Sequence, residues 1–232
     1  MPQTTGLSFL THSRIKKVSL SKLPKELYNA LFSKVSELGD NERLILGIVG
    51  FPASGKSTLA KDLAKGINKD AKSKVAIVVP MDGFHRSNAE LKAWGIWELK
   101  GIPDSFNPEA FLNLLTGLRE NTSTEIGCPA FDRKIEEPSD NAILVQPQHK
   151  LIIIEGNYLL LANGTWGKIK ALLDETWYIE SNLQKIEPRL LERHIKGGRS
   201  PEEARRKMES TDLPNARLIE TTKAMADHVI PI

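Results

Sequence analysis

The stretch from residue 44 to residue 59 constrains this chain more than any other. An apolar run, residues 44–49, leads into Gly50-Phe51-Pro52-Ala53-Ser54-Gly55-Lys56-Ser57, which has the form G-x-x-x-x-G-K-S. A buried strand that delivers the chain to such a loop lets backbone N–H groups curl round a phosphate with no Cβ in the way. The helix that follows adds the positive end of its dipole. On this pattern Gly50, Pro52, Ala53, Ser54, Gly55 and Thr58 belong to the phosphate cradle. Lys56 reaches the β- and γ-phosphates, and the Ser57 hydroxyl can ligate Mg²⁺. Leu59, Leu63 and Ile67 then recur at helical spacing, as the helix requires.

The chain has 232 residues, enough for one α/β domain with a substantial core and a small appendage. Hydrophobic residues make up 40% and charged residues 26%, the balance of an ordinary globular protein. A net charge of +3 is too small to point to nucleic acid, and suits a protein that holds polyphosphate. Cys128 is the one cysteine, so no intramolecular disulfide forms, and it reads as a small buried residue. The first 17 residues lack the apolar core of a secretory signal, and nothing approaches an 18-residue apolar run. The expectation is a cytoplasmic protein without membrane or nucleic-acid contact.

Residues 1–20 are polar and give no period. Residues 24–38 read as a helix: Pro24 stands in its first turn, Leu27, Leu31 and Val35 share a face, and Gly39 ends it. Residues 1–42 are therefore taken as an N-terminal helical extension, packed on the main domain or mediating a homodimer. Beyond it strand and helix alternate. Residues 44–49, 75–79, 151–154, 176–179 and 228–232 read as strands, and residues 57–67, 107–118 and 183–195 as helices. Ser200-Pro201-Glu202-Glu203 is a capping box that opens another helix. Uninterrupted apolar strands between helices predict an α/β, three-layer fold around a mostly parallel sheet of about five strands. Ligands of such folds sit at the carboxyl ends of the strands, here after Val49, Val79 and Ile154.

Carboxylates occupy two of those places. Asp82, in Met81-Asp82-Gly83-Phe84-His85, can take the proton of a hydroxyl that attacks a γ-phosphate, or help hold Mg²⁺. Phe84 and His85 project toward an acceptor. Glu155, in Glu155-Gly156-Asn157-Tyr158, stands where P-loop proteins place the acidic group that orients Mg²⁺. Further on, Arg189, Arg193 and Lys196 share a helix face, and Gly197-Gly198-Arg199 follows. Arginines fit phosphoryl oxygens bidentately, and paired glycines suit a hinge, so residues 189–206 or so read as a helical lid. A solvated helix face is the competing reading of the same charges.

Taken together, these residues resemble the uridine kinase, type I pantothenate kinase and phosphoribulokinase superfamily of P-loop kinases, over residues 44–232. Asp82-Gly83-Phe84 is similar to the pantothenate kinase motif that carries the catalytic Asp, and residues 100–107 to its K-G-x-P-E-S-[YF]-D stretch. Pro129-Ala130-Phe131-Asp132 resembles the P-x-[YF]-D segment of the uridine kinase acceptor site. Glu155-Gly156 matches the strand-end E-G, and residues 226–231 are similar to the A-D-x-I-I-P ending of uridine kinases. The set M-D-G-F-H, K-G-x-P, P-x-F-D-R and E-G-N-Y-L-L-L is closest to the uridine kinase-like nucleoside/nucleotide kinase branch. Two segments depart. Uridine kinases follow the Asp with Ser-Phe-Tyr, and carry a base-contacting His where this chain has Arg133-Lys134-Ile135-Glu136.

The resemblance implies a P-loop kinase domain over residues 43–232 that uses ATP and Mg²⁺ and phosphorylates a hydroxyl of a small metabolite: a nucleoside, a pantothenate-like acid or a sugar. Asp82, Lys56, Glu155 and Arg193 are the candidate catalytic residues. Residues 50 and 52–58 with Arg189 and Arg199 hold nucleotide, and Ser57, Glu155 and Asp82 hold the metal. Phe84, His85, Phe131, Asp132, Arg133, Asn157 and Tyr158 are the candidates for the acceptor. The alternative is a regulatory nucleotide switch without an acceptor. Against it, Asn68-Lys69-Asp70 places its Asp one position too early for a guanine-reading N-K-x-D.

Overall fold

Five strands pair side by side; the three central ones are buried on both faces and the two edge strands are more exposed. In the computed structural model, which describes residues 20–231, they are β1 (Leu44–Gly50), β2 (Ala76–Pro80), β5 (Leu151–Gly156), β6 (Glu175–Glu180) and β7 (His228–Pro231). Their spatial order is β2-β5-β1-β6-β7 and every neighbouring pair is parallel, with Leu44 opposite Leu151 and Val49 opposite Tyr178. The remaining strands, β3 (Ile126–Asp132) and β4 (Glu137–Val145), form a separate antiparallel hairpin. Residues 1–19, the polar stretch without a period, lie outside the described residues.

Alternate strand residues point to opposite sides and build two cores. On one side Ile45, Val49, Ile152 and Ile154 meet α4 (Pro108–Glu120), α5 (Leu183–Lys196) and α7 (Leu213–Glu220) through Phe111, Leu115, Ile186, Leu190 and Ile219. On the other, Leu46, Ile48, Ile153 and Trp177 meet α1 (Lys25–Glu37) and α2 (Lys56–Asp70) through Leu31, Val35, Leu59, Leu63 and Ile67. The result is the three-layer α/β fold that the strand pattern predicts. α1 is docked on the sheet. Its Lys34 Nζ donates to Glu175 Oε2 at 2.6 Å, and that buried carboxylate also accepts from Trp177 Nε1 at 2.6 Å.

A single arginine closes the end of the sheet away from the phosphate loop. Arg43 donates to the carbonyls of Leu118, Asn121, Gln146 and His149 at 2.7–3.2 Å, so the end of α4 and the turn before β5 hang on the entry to β1. Cys128 is free and buried, and burial pushes its thiol up to about 12. Among the described residues no helix is long and apolar enough to cross a membrane.

The structure adds elements that the sequence pattern does not announce. The β3–β4 hairpin is half-exposed, with its register shifting at Pro129, which has no N–H to give a ladder. Between β2 and α4 lies α3 (Asn88–Ala93), capped by Ser87 and Glu90. After α5 come α6 (Pro201–Lys207), begun by the expected Ser200–Glu203 capping box, and a π-helical turn, Met208–Asp212, that runs straight into α7.

Candidate active site

The loop after β1 turns sharply enough to need a left-handed backbone at Gly55, whose φ is +102° and which caps the N-terminus of α2. Ala53, also left-handed at φ +59°, is the one loop residue that takes this conformation with a side chain. Lys56 is buried and folds back over the loop, donating to Gly50 O at 3.0 Å and Phe51 O at 2.9 Å. Burial pulls its pKa down to about 8; Glu155 and Asp82 oppose the fall, and Arg193 adds to it. The Ser54 hydroxyl is buried in the same loop with no partner.

Two carboxylates face this lysine. Glu155 ends β5, level with Ile48 of β1 and Pro80 of β2, and accepts from Ser57 Oγ at 2.8 Å. Burial and then the charge of Asp82 raise its pKa. Asp82 sits in a 3₁₀ turn, Met81–Phe84, directly after β2. Gly83 is obligatory there: a Cβ would stand 2.3 Å from Pro129 O, so the turn lies hard against the hairpin. Asp82 keeps a third of its side chain exposed, and Arg133, from the hairpin tip, brings Nη2 to 3.5 Å from its Oδ2.

The acceptor-side candidates divide. His85 bonds Asp82 O through Nδ1 at 2.9 Å and stacks between Phe106 and Phe131, with centroids 3.9 and 4.9 Å away. Burial lowers its pKa, which favours the neutral ring. His85, Phe131 and Arg133 thus gather beside Asp82, and half-buried Asn157 follows the strand end that carries Glu155. Asp132 is exposed and its Oδ1 accepts from Lys134 N at 2.8 Å, which shapes the hairpin turn. Phe84 and Tyr158 lie apart from this group: both are buried in the aromatic core with Phe111, Phe106 and Trp166. A single apolar side chain after a strand looks the same in sequence whether it faces a ligand or the core.

The arginines divide as well. Arg189 donates to Ala53 O at 3.5 Å, and Arg193 lies near enough to Lys56 to depress its pKa. Arg199, past the turn at Gly198, instead places Nη1 3.3 Å from His194 Nδ1. It belongs to the turn between α5 and α6 and makes no bond to the phosphate loop among those described.

The donor set fits a nucleoside triphosphate with a hard cation. A buried lysine with only carbonyl partners, an orphaned buried hydroxyl and the first N–H groups of α2 all await an anion. Ser57 and Glu155 offer oxygen ligands, but no cluster of three or more His, Cys, Asp or Glu that could hold a metal exists among the described residues. A cation there needs phosphate oxygens to complete its shell. Beside Phe51, at the ends of β6 and β7, a cleft of about 630 Å³ is lined by Glu180, Ser181, Asn182, Glu220 and Pro231. Tyr178 OH and Ser181 Oγ, both buried and unpartnered, belong to the strand and turn at its wall. No sequence motif marks this cleft.

No protein-family model matches the chain. It is 32% identical over 210 residues to "Putative uridine kinase C227.14" of Schizosaccharomyces pombe, covering 88% of this chain and 89% of that protein. It is 28% identical over 208 residues to a "Pantothenate kinase" of Limosilactobacillus reuteri, covering 80% of this chain and 67% of that one. The crystal structure of a "putative fructose transport system kinase" from Silicibacter sp. TM1040 superposes with a TM-score of 0.77 at 34% identity, covering 87% of this chain and 98% of that one.

Proposed function

The chain belongs to the uridine kinase and pantothenate kinase superfamily of P-loop kinases, and on that premise we propose that it transfers the γ-phosphoryl of ATP, with Mg²⁺, to a hydroxyl of a small metabolite. That it is an ATP-dependent small-molecule kinase follows from the relatives; the residue roles and the metal are our reading. One observation carries them. Lys56, Ser57, Asp82 and Glu155 come from three different strand ends and meet at one place, with Arg193 beside them.

Residues 50–58 would hold the triphosphate, and Ser57 and Glu155 would hold Mg²⁺, which would supply positive charge against the phosphate oxygens. ATP supplies the phosphoryl group and ADP is its leaving group. Asp82 takes the proton as the acceptor oxygen bonds to the γ-phosphorus and the bond to the β–γ bridging oxygen breaks. Lys56 and Arg193, with Arg189, neutralise charge on the transferring group. His85, Phe131, Arg133 and Asn157 surround the acceptor, and the cleft beside Phe51 takes the nucleoside. Residues 43–232 form this catalytic unit, residues 189–206 or so its lid, and α1 is an appendage docked on the sheet. Such a transfer is mostly positioning and charge neutralisation, which suits a site of fixed charges.

The test is an ATP-consumption screen with Mg²⁺ over nucleosides, sugars and vitamin precursors, with Lys56→Ala as the blank. ADP release that depends on one acceptor class is expected. Rapid hydrolysis indifferent to every acceptor would sink the reading.

A further inference from the structure

Three carbonyls of one acceptor-side segment, those of Glu98, Lys100 and Gly101, are held by distant side chains. Lys207 Nζ donates to Glu98 O at 2.8 Å and to Lys100 O at 2.7 Å. Asn215 Nδ2 donates to Gly101 O at 2.9 Å, and Tyr158 OH donates to the same oxygen at 2.5 Å. Asn215 is buried, and Thr211, also buried, lies against Gly101. None of these contacts joins sequence neighbours.

The segment they hold leads directly to the acceptor residues. Ser105 Oγ accepts from Gly101 N at 2.8 Å, and Ser105 O accepts from Arg86 N at 2.9 Å. Asn107 N donates to Phe84 O at 2.8 Å, and Phe106 stacks on His85. Moving residues 98–101 therefore moves the turn that carries Asp82 and His85.

On its other side the same helical stretch is fastened to the arginine helix. Asp212 Oδ2 lies 2.7 Å from His194 Nε2 on α5, which bears Arg189 and Arg193. The π-helical turn explains how one stretch can serve both sides. Eight residues of regular α-helix would set Lys207 and Asn215 roughly 80° apart. One residue absorbed by the wider π-turn brings them to within roughly 20°, so both face the same backbone.

We propose that Lys207 and Asn215 are positioning residues that transmit nucleotide binding at the arginines of α5 to the acceptor-side segment 98–107. The proposal rests on the kinase reading above. Phosphates held by Arg189 and Arg193 fix α5, His194 and Asp212 fix the π-turn, and Lys207 and Asn215 fix the carbonyls of residues 98–101.

Amide hydrogen exchange of the full chain, with and without the non-hydrolysable analogue Mg-AMPPNP, tests this without any acceptor. In the wild type the analogue should slow exchange tenfold or more in residues 50–58 and in residues 98–107. In Lys207→Met and Asn215→Leu the slowing at 50–58 should persist and that at 98–107 should vanish, while Lys207→Arg should retain both. Lys207→Met keeps the apolar stem, so it remains informative if Asn215→Leu unfolds. Undiminished slowing at 98–107 in Lys207→Met, or none there in the wild type while 50–58 is protected, would overturn the proposal. No protection of 50–58 in the wild type would overturn the nucleotide reading beneath it.

Discussion

Ser57 Oγ donates a 2.8 Å hydrogen bond to Glu155 Oε1, joining the first turn of α2 to the end of β5 across 98 positions of sequence. Both groups are the oxygen ligands proposed for Mg²⁺, and the bond between them holds each in place. Glu155→Gln keeps the shape and removes the charge. It should raise the Mg²⁺ concentration needed for nucleotide binding by about 10- to 100-fold, read by titrating Mg²⁺ against ADP at fixed protein. An unchanged Mg²⁺ requirement would remove Glu155 from the metal site.

Asp82 is the carboxylate with room for a reacting hydroxyl, since Glu155 is buried and already bonded. Asp82→Asn should lower acceptor-dependent ADP formation by about 10²- to 10⁴-fold, with ADP affinity within threefold of wild type. Near-normal turnover in that variant would assign the base elsewhere.

Arg43 satisfies four carbonyls from two segments, the end of α4 and the turn before β5. Arg43→Ala leaves them to find water at a partly buried site, which should cost about 2–3 kcal/mol in urea unfolding. The nucleotide affinity of the folded variant should not change, because Arg43 lies at the opposite end of β1 from residues 50–58.

His149 is buried, and its Nδ1 accepts from Gln146 N at 2.9 Å, which requires an unprotonated nitrogen. Burial, then the nearby charges of Arg43 and Lys74, lower its pKa below the ordinary 6.5. As pH falls through 6.5 the unfolded chain takes up a proton that the fold resists, so stability is lost on the acid side. His149→Asn, whose Oδ1 can accept the same bond, should flatten the fall in Tm between pH 7 and 5. Identical slopes in the two proteins would show that other groups carry the acid sensitivity.

α1 is proposed as an appendage docked on the sheet, and Leu31 is its most deeply buried contact, at 1% exposure. Leu31→Ala should cost about 2–5 kcal/mol in a single cooperative transition. A separate early transition with an unaltered main one would mark α1 as an independent unit.

Much of this site is legible in the chain because its parts obey local rules. A glycine loop between an apolar run and a helix has one economical conformation, and Asp82 and Glu155 are flagged by standing just past apolar strands. The central strands of the sheet are legible for the same reason, since burial on both faces leaves an apolar signature. The β3–β4 hairpin is not, because a half-exposed ribbon interrupted by Pro129 and Pro138 has no periodicity distinct from a loop. Lys207 and Asn215 give no signal either. A lysine and an asparagine in a polar helix acquire a role only through carbonyls more than 100 residues away.

The sequence by itself determined that a phosphate loop, two strand-end carboxylates and a row of arginines stand on a parallel α/β frame, because strand ends and helix faces follow from spacing. Only the tertiary structure decided which side chains face the opening. It turned Phe84 and Tyr158 into the core, carried Arg193 rather than Arg199 to Lys56, and set Arg133 beside Asp82. Direction is settled by packing between elements far apart in the chain, and no local pattern encodes it.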